Sequence, residues 1–191
     1  MVLDGRGLTD AQMQAFAKET NLSETTFILP RTTIECERGV RVRIFTIEEE
    51  LPFAGHPTLG TAFVLRGASG AREIKLDLNV GPVPVRFKDT SGQPAFGEMT
   101  QVEIPSSGLS TIAQPHARML FYNGEDPATG SAAGCAAAWM VANGVAQPDE
   151  RVLIEQGIEM KRPSRIFVHA SRGDNGVVNV RVGGNAVEVM R

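Results

Sequence analysis

No block of like charge runs through this chain, no apolar stretch is long enough for a bilayer span, and only two cysteines occur in its 191 residues. The balance of 19 basic against 22 acidic residues leaves a net charge of −3. Without a basic cluster, nucleic acid and anionic membrane surfaces are poor matches as main partners. Cys36 and Cys135 lie far apart. The first residues show neither a basic start followed by an apolar core nor a cleavage site, so no export signal is expected. A cytoplasmic protein with two reduced thiols follows from that pairing of absences. The hydrophobic content, 42%, is that of an ordinary globular protein.

Familiar chemical signatures are also missing. No Gly-x-Gly-x-x-Gly follows a strand-like run, so no dinucleotide fingerprint exists. Gly124 to Ser131 has the glycines of a phosphate-binding loop but not its lysine. His56, His116 and His169 do not stand at metal-ligand spacing with each other or with the cysteines. A Gly-x-Ser-x-Gly elbow is absent. Neither cofactor nor metal is expected.

What the sequence does contain is a pair of apolar helices with polar entrances. The first to stand out follows Asp126-Pro127: Asp is a good N-cap, Pro suits the first helical position, and Ala132 to Val141 carries no charge on any face. Such a helix must be enclosed by other structure. Its mouth, rich in free backbone N–H donors, suits an anion. A second copy of the pattern starts at His56-Pro57. His56-Pro57-Thr58-Leu59-Gly60-Thr61-Ala62 aligns with Asp126-Pro127-Ala128-Thr129-Gly130-Ser131-Ala132. Neither mouth carries a cysteine, and Cys135 lies within its apolar helix, which excludes paired-cysteine racemase chemistry.

Around the helices run strand-like stretches. Before the first come a helix over 8–20, with the capping-box pair Thr9 and Gln12, then strands at Glu24–Pro30 and Val40–Ile44. After it come Glu73–Leu78 and Val83–Phe87. The second helix is followed by Val152–Gln156, Ile166–His169, Val177–Val182 and Ala186–Val189. The pattern is α+β: two pseudo-symmetric halves, 1–105 with its central helix from Pro57 and 106–191 with its central helix from Pro127, each a curled β-sheet around one buried helix. Two such halves would place both helix mouths at a common cleft. The second half is incomplete, because the residues between Gly67 and Asp126 must finish the first sheet and leave little to match residues 1–55. Ser106 to Thr111 reads as the linker.

Several residues could carry chemistry. Glu24 opens a strand in an otherwise uncharged stretch; buried there it would be a proton-transfer group, exposed it would be a plain surface carboxylate. His56, at one helix mouth, could donate to a substrate or shuttle a proton, or simply cap the helix. Asp126 could cap its helix, line a site, or do both. Ser131 and Thr61 lie one turn in, with Gly60 and Gly130 allowing close approach to backbone donors or tight helix packing.

Taken together, Asn21-Leu22-Ser23-Glu24-Thr25-Thr26-Phe27, Phe53-Ala54-Gly55-His56-Pro57-Thr58-Leu59-Gly60-Thr61-Ala62 and Gly124-Glu125-Asp126-Pro127-Ala128-Thr129-Gly130-Ser131-Ala132 resemble the PhzF-like family, named for phenazine biosynthesis. Gln156-Gly157 and Arg162-Pro163-Ser164 fit it as well. The resemblance implies the diaminopimelate-epimerase-like fold, a homodimer, and catalysis without cofactor or metal. The family's best-known activity isomerises trans-2,3-dihydro-3-hydroxyanthranilate by moving a proton. By motif, Glu24 would be the acid and base, while His56, Asp126 and Ser131 hold the substrate's polar groups with help from backbone donors at Gly55 and Gly130. Two departures stand out. Family members usually carry a strand and a Gly-Asn-Pro segment ahead of the counterpart of Val2-Leu3-Asp4. They also have a much longer stretch between the counterparts of Pro105 and Arg118. A cofactor-independent isomerase of a small carboxylate-bearing substrate is therefore the leading expectation. A non-catalytic small-anion-binding protein on the same scaffold is the alternative.

Overall fold

The computed structural model describes residues 1–29, 38–89, 95–100, 116–121 and 124–186. It divides into two compact units, Met1–Phe87 and Lys88–Arg191. The division falls between Phe87 and Lys88, whereas the sequence pattern put it at 105/106, within residues outside the described set. Cys36 and most of the run 186–189 also lie outside it.

The first unit opens with helix α1, Asp10–Thr20, which starts where its capping box predicts: the Thr9 side chain accepts from the Gln12 N–H, and the Gln12 side chain accepts from the Thr9 N–H. Met13 and Ala17 are its buried face. Asn21, left-handed at φ 49°, ends the helix, and its N–H donates to the Ala17 carbonyl. The chain then enters β1 (Thr25–Leu29), followed by β2 (Val40–Phe45), the short β3 (Glu50–Leu51), helix α2 (Gly55–Arg66), β4 (Glu73–Leu78) and β5 (Gly81–Lys88). In sheet order these run β1-β2-β4-β5, with β3 on β2; only β2–β4 is parallel among the neighbours. Phe27, Ile44, Leu76, Leu78, Val83 and Val85 are all but fully buried. Each such side chain removed from water is worth roughly 1.5–3 kcal/mol.

The second unit contains β6 (Phe96–Thr100), β7 (His116–Ala117), β8 (Met119–Phe121), β9 (Gly124–Asp126), helix α3 (Gly130–Ala142), β10 (Val152–Gln156), β11 (Ser164–Gly173) and β12 (Gly176–Gly184). Its main sheet is ordered β6-β12-β11-β10-β7, and β8 pairs with β9 as a separate antiparallel ribbon. α3 packs on β11 and β12. Ala133, Ala136, Ala137, Met140 and Val141 meet Ile154, Ile166, Val168, Ala170, Val180 and Val182 in one core. The absence of charge along α3 is thus explained by burial within protein. No helix among the described residues is long and apolar enough to cross a membrane.

Both central helices exist, but neither starts where its proline pointed. α2 begins two residues before Pro57, with Ala54 as N-cap, so Pro57 is the third helical residue. Proline is still tolerated there, because an N–H in the first turn has no intrahelical acceptor. α3 begins three residues after Pro127, with Thr129 in the cap position. Asp126 does not cap it, because its backbone is paired with Met119 at the end of β9.

Candidate functional site

In the first unit the strand end and the helix mouth are tied together by side chains. The Thr61 hydroxyl of α2 donates to the Thr26 hydroxyl of β1 at 3.0 Å, in a buried position. The Thr58 hydroxyl folds back onto the Ala54 carbonyl at 2.6 Å. β1 is held from its other side by Val2, whose N–H donates to the Thr26 carbonyl and whose carbonyl accepts from Ile28. Glu24, immediately before β1, is therefore delivered to the first turn of α2. Its Oε2 lies 2.9 Å from Nε2 of His56.

The Glu24 side chain is 14% exposed and that of His56 38%. Oε2 is buried and lies within ion-pair reach of the imidazole, yet it accepts no hydrogen bond from the described residues. Of the two sequence readings of Glu24, the surface carboxylate falls away. What remains is a carboxylate oxygen enclosed by protein, beside an imidazole, that accepts no hydrogen bond from the described residues. That arrangement can exchange a proton with a bound molecule or with the ring. Gly55 and His56 are the first two residues of α2, so their N–H groups precede the first intrahelical acceptor, and Pro57 contributes none.

The second unit builds a different mouth. Asp126 Oδ1 accepts from the Ala128 N–H at 3.2 Å, an Asx-type turn, and Oδ2 accepts from the Thr129 hydroxyl at 2.7 Å. Gln156, at the end of β10 and 2% exposed, reaches under this turn. Its Nε2 donates to the Asp126 carbonyl at 2.6 Å and to the Thr129 hydroxyl at 2.9 Å, while its Oε1 accepts from the Thr129 N–H at 3.1 Å. Gly157, at φ +77°, passes so close to Pro127 that a Cβ would stand 2.9 Å from the Pro127 carbonyl oxygen. Thr129 makes no side-chain cap to its own helix. Gly130, buried, and Ser131, half-buried, follow as the first helical residues.

Charge near this mouth is compensated. Arg118 grips Glu125 through two bonds of 3.0 and 2.7 Å, and this holds the Glu125 carboxyl below the usual range. His116 Nε2 sits 2.8 Å from Glu159. The Glu159 carboxyl is lowered first by a backbone N–H and then by that histidine. Among the described residues, no three His, Cys, Asp or Glu side chains gather in a way that could hold a metal ion.

Glu24 and His56 are thus brought together in one unit, and Asp126, Gly130 and Ser131 cluster in the other. Sequence reasoning gave no role to Gln156 or Thr129. Their signal was present in the Gln156-Gly157 pair, but only folding places it under the Asp126 turn.

A family model described as phenazine biosynthesis-like protein matches residues 1–124 and 120–191. An uncharacterized isomerase of Mesorhizobium japonicum is 30% identical over 99% of this chain and 90% of its own length. The trans-2,3-dihydro-3-hydroxyanthranilate isomerase of Pseudomonas chlororaphis is 28% identical over 96% of this chain and 88% of its own. Among solved structures, a predicted epimerase from Pseudomonas aeruginosa covers all of this chain and 92% of its own, with a TM-score of 0.77 and 28% identity. The diaminopimelate-epimerase-like fold expected from sequence is therefore the fold of this chain. The Mesorhizobium match extends over 275 positions against 191 residues here, so the relative carries long stretches opposite gaps in this chain. That agrees with the deficit visible in the repeat.

Proposed function

The chain belongs to the phenazine biosynthesis-like family, and from that premise we propose that it is a PhzF-type isomerase moving a proton at carbon on a small carboxylate-bearing substrate, as trans-2,3-dihydro-3-hydroxyanthranilate is. The observation that carries the mechanism is the enclosed Glu24 oxygen 2.9 Å from His56. Glu24 is the base that takes the proton and the acid that returns it. His56, beside it, holds a polar group of the substrate and shares the charge as Glu24 changes protonation. At the mouth of α3, Asp126 and Ser131 are polar groups suited to holding a ligand's donors and hydroxyls, and the N–H groups at Gly55 and at Gly130, each at the start of its own helix, suit developing negative charge.

In this reading the enzyme works in the cytoplasm as a homodimer, without cofactor or metal. Isomerisation of trans-2,3-dihydro-3-hydroxyanthranilate, followed spectroscopically, tests it. Turnover that collapses in Glu24→Gln supports the assignment, and undiminished turnover in that variant overturns it.

The stretches opposite gaps in this chain favour a second reading, a non-catalytic small-anion-binding protein on the same scaffold. Calorimetry with small carboxylates separates the two. Binding that is unchanged by Glu24→Gln, in a protein with no turnover, supports the binder.

A further inference from the structure

Gln156 lies beneath the Asp126 turn and makes three hydrogen bonds to it, yet it has no place in the site as assembled so far. The orientation of its amide is fixed by its partners. The Thr129 N–H can only donate, so it must face Oε1; the Asp126 carbonyl can only accept, so it must face Nε2. With that amide fixed, Nε2 also points a proton at the Thr129 hydroxyl oxygen. The hydroxyl's own proton is then directed at Asp126 Oδ2, 2.7 Å away.

This arrangement has a second effect. Threonine in the cap position ordinarily turns its oxygen to the N–H of the second or third helical residue. Thr129 does not, because Gln156 and Asp126 hold its hydroxyl between them. We infer that Gln156 is a positioning residue, acting through Thr129 to fix the Asp126 carboxylate and to keep Thr129 from capping α3. The inference rests on the role given to Asp126 in the proposed isomerase, but its structural half can be read without substrate. Gly157 completes the device by letting Pro127 pack directly against the turn that follows Gln156.

Two readouts test it together. The first is amide hydrogen exchange at Ser131 and Ala132. In Gln156→Met the freed Thr129 hydroxyl caps the helix and slows exchange there, by about tenfold for a cap worth some 1.4 kcal/mol. In Gln156→Met/Thr129→Val exchange returns to the wild-type rate. Unchanged exchange in the single variant, or faster exchange along the whole helix in both, overturns the inference in favour of a merely supporting glutamine.

The second readout is kinetic, with trans-2,3-dihydro-3-hydroxyanthranilate. Gln156→Met raises KM about tenfold and changes kcat less, while in a Thr129→Val background the same substitution changes KM less than about twofold. Gln156→Glu, which retains the acceptor but cannot donate, fails to rescue KM. Equal KM effects in both backgrounds contradict an action through Thr129. If the wild type does not turn over this compound, the exchange experiment still decides the inference, and the proposed function falls by its own test.

Discussion

A carboxylate oxygen enclosed beside an imidazole but accepting no hydrogen bond from the described residues contributes little to holding a fold together, since its lost hydration is not fully replaced. Glu24 is in that position, so Glu24→Gln is expected to keep or raise the stability of the first unit, by up to about 1 kcal/mol, while removing its proton chemistry. Urea unfolding of the two proteins checks this, and a loss of more than about 1 kcal/mol would assign Glu24 to structure instead. His169 is the other telling residue. It sits opposite Arg181 on β12, with Nδ1 3.9 Å from Glu98 on β6, and its buried Nε2 has no hydrogen-bond partner among the described residues. Burial, then Arg181, lowers its pKa from 6.5; Glu98 and Asp149 oppose the shift and Lys88 adds to it. The folded state thus binds this proton less readily than the unfolded chain. Its contribution to stability is complete above pH 6.5 and declines as pH falls below that value. The urea midpoint should drop between pH 8 and pH 5 by more in wild type than in His169→Gln. Equal drops would contradict the assignment. From the sequence, Glu24 could be read as buried or exposed, and the usual place of a glutamate favoured the surface; the enclosure comes with the Thr26–Thr61 tie, a contact across 35 residues.

At the scale of elements, strands were the most legible part of the chain. Glu73–Leu78 and Val152–Gln156 form where alternation placed them, and the Thr9–Gln12 capping box starts α1 as expected. The strands β7 to β9, of two or three residues, are too short to show a period, and β6 buries Gly97 and Met99, which give no apolar alternation in the sequence. Helix starts were misjudged for a definite reason. The x-Pro pattern is repeated, but in one copy Pro57 lies inside the first turn, while in the other Asp126 is held in β9 and by Gln156. Similar residues therefore build two unlike mouths. This predicts that the second mouth depends on its neighbouring turn. Gly157→Ala introduces a Cβ at φ +77°, 2.5 Å from the Arg162 carbonyl oxygen and 2.9 Å from that of Pro127. It should cost roughly 1–3 kcal/mol and shift the amide resonances of Thr129 to Ser131. An unshifted spectrum would mean that the Pro127 contact does not set the mouth.

For the whole molecule, the residues that could be read were those whose chemistry is local, and what could not be found was a second-half counterpart of residues 1–55. The Mesorhizobium relative, aligned to this chain over 275 positions, carries stretches that these 191 residues lack. In the proposed reaction the proton is carried by Glu24 without a metal. Chelation and dialysis should then leave activity within about twofold, because no metal takes part in the proposed proton transfer; loss restored by a metal would contradict the cofactor-independent reading. The most direct measurement follows the proton itself. With trans-2,3-dihydro-3-hydroxyanthranilate in heavy water, the account predicts that wild type incorporates solvent deuterium at carbon. Glu24→Gln should bind the compound but incorporate label about 10²–10⁴ times more slowly. Incorporation at the wild-type rate in Glu24→Gln would contradict it.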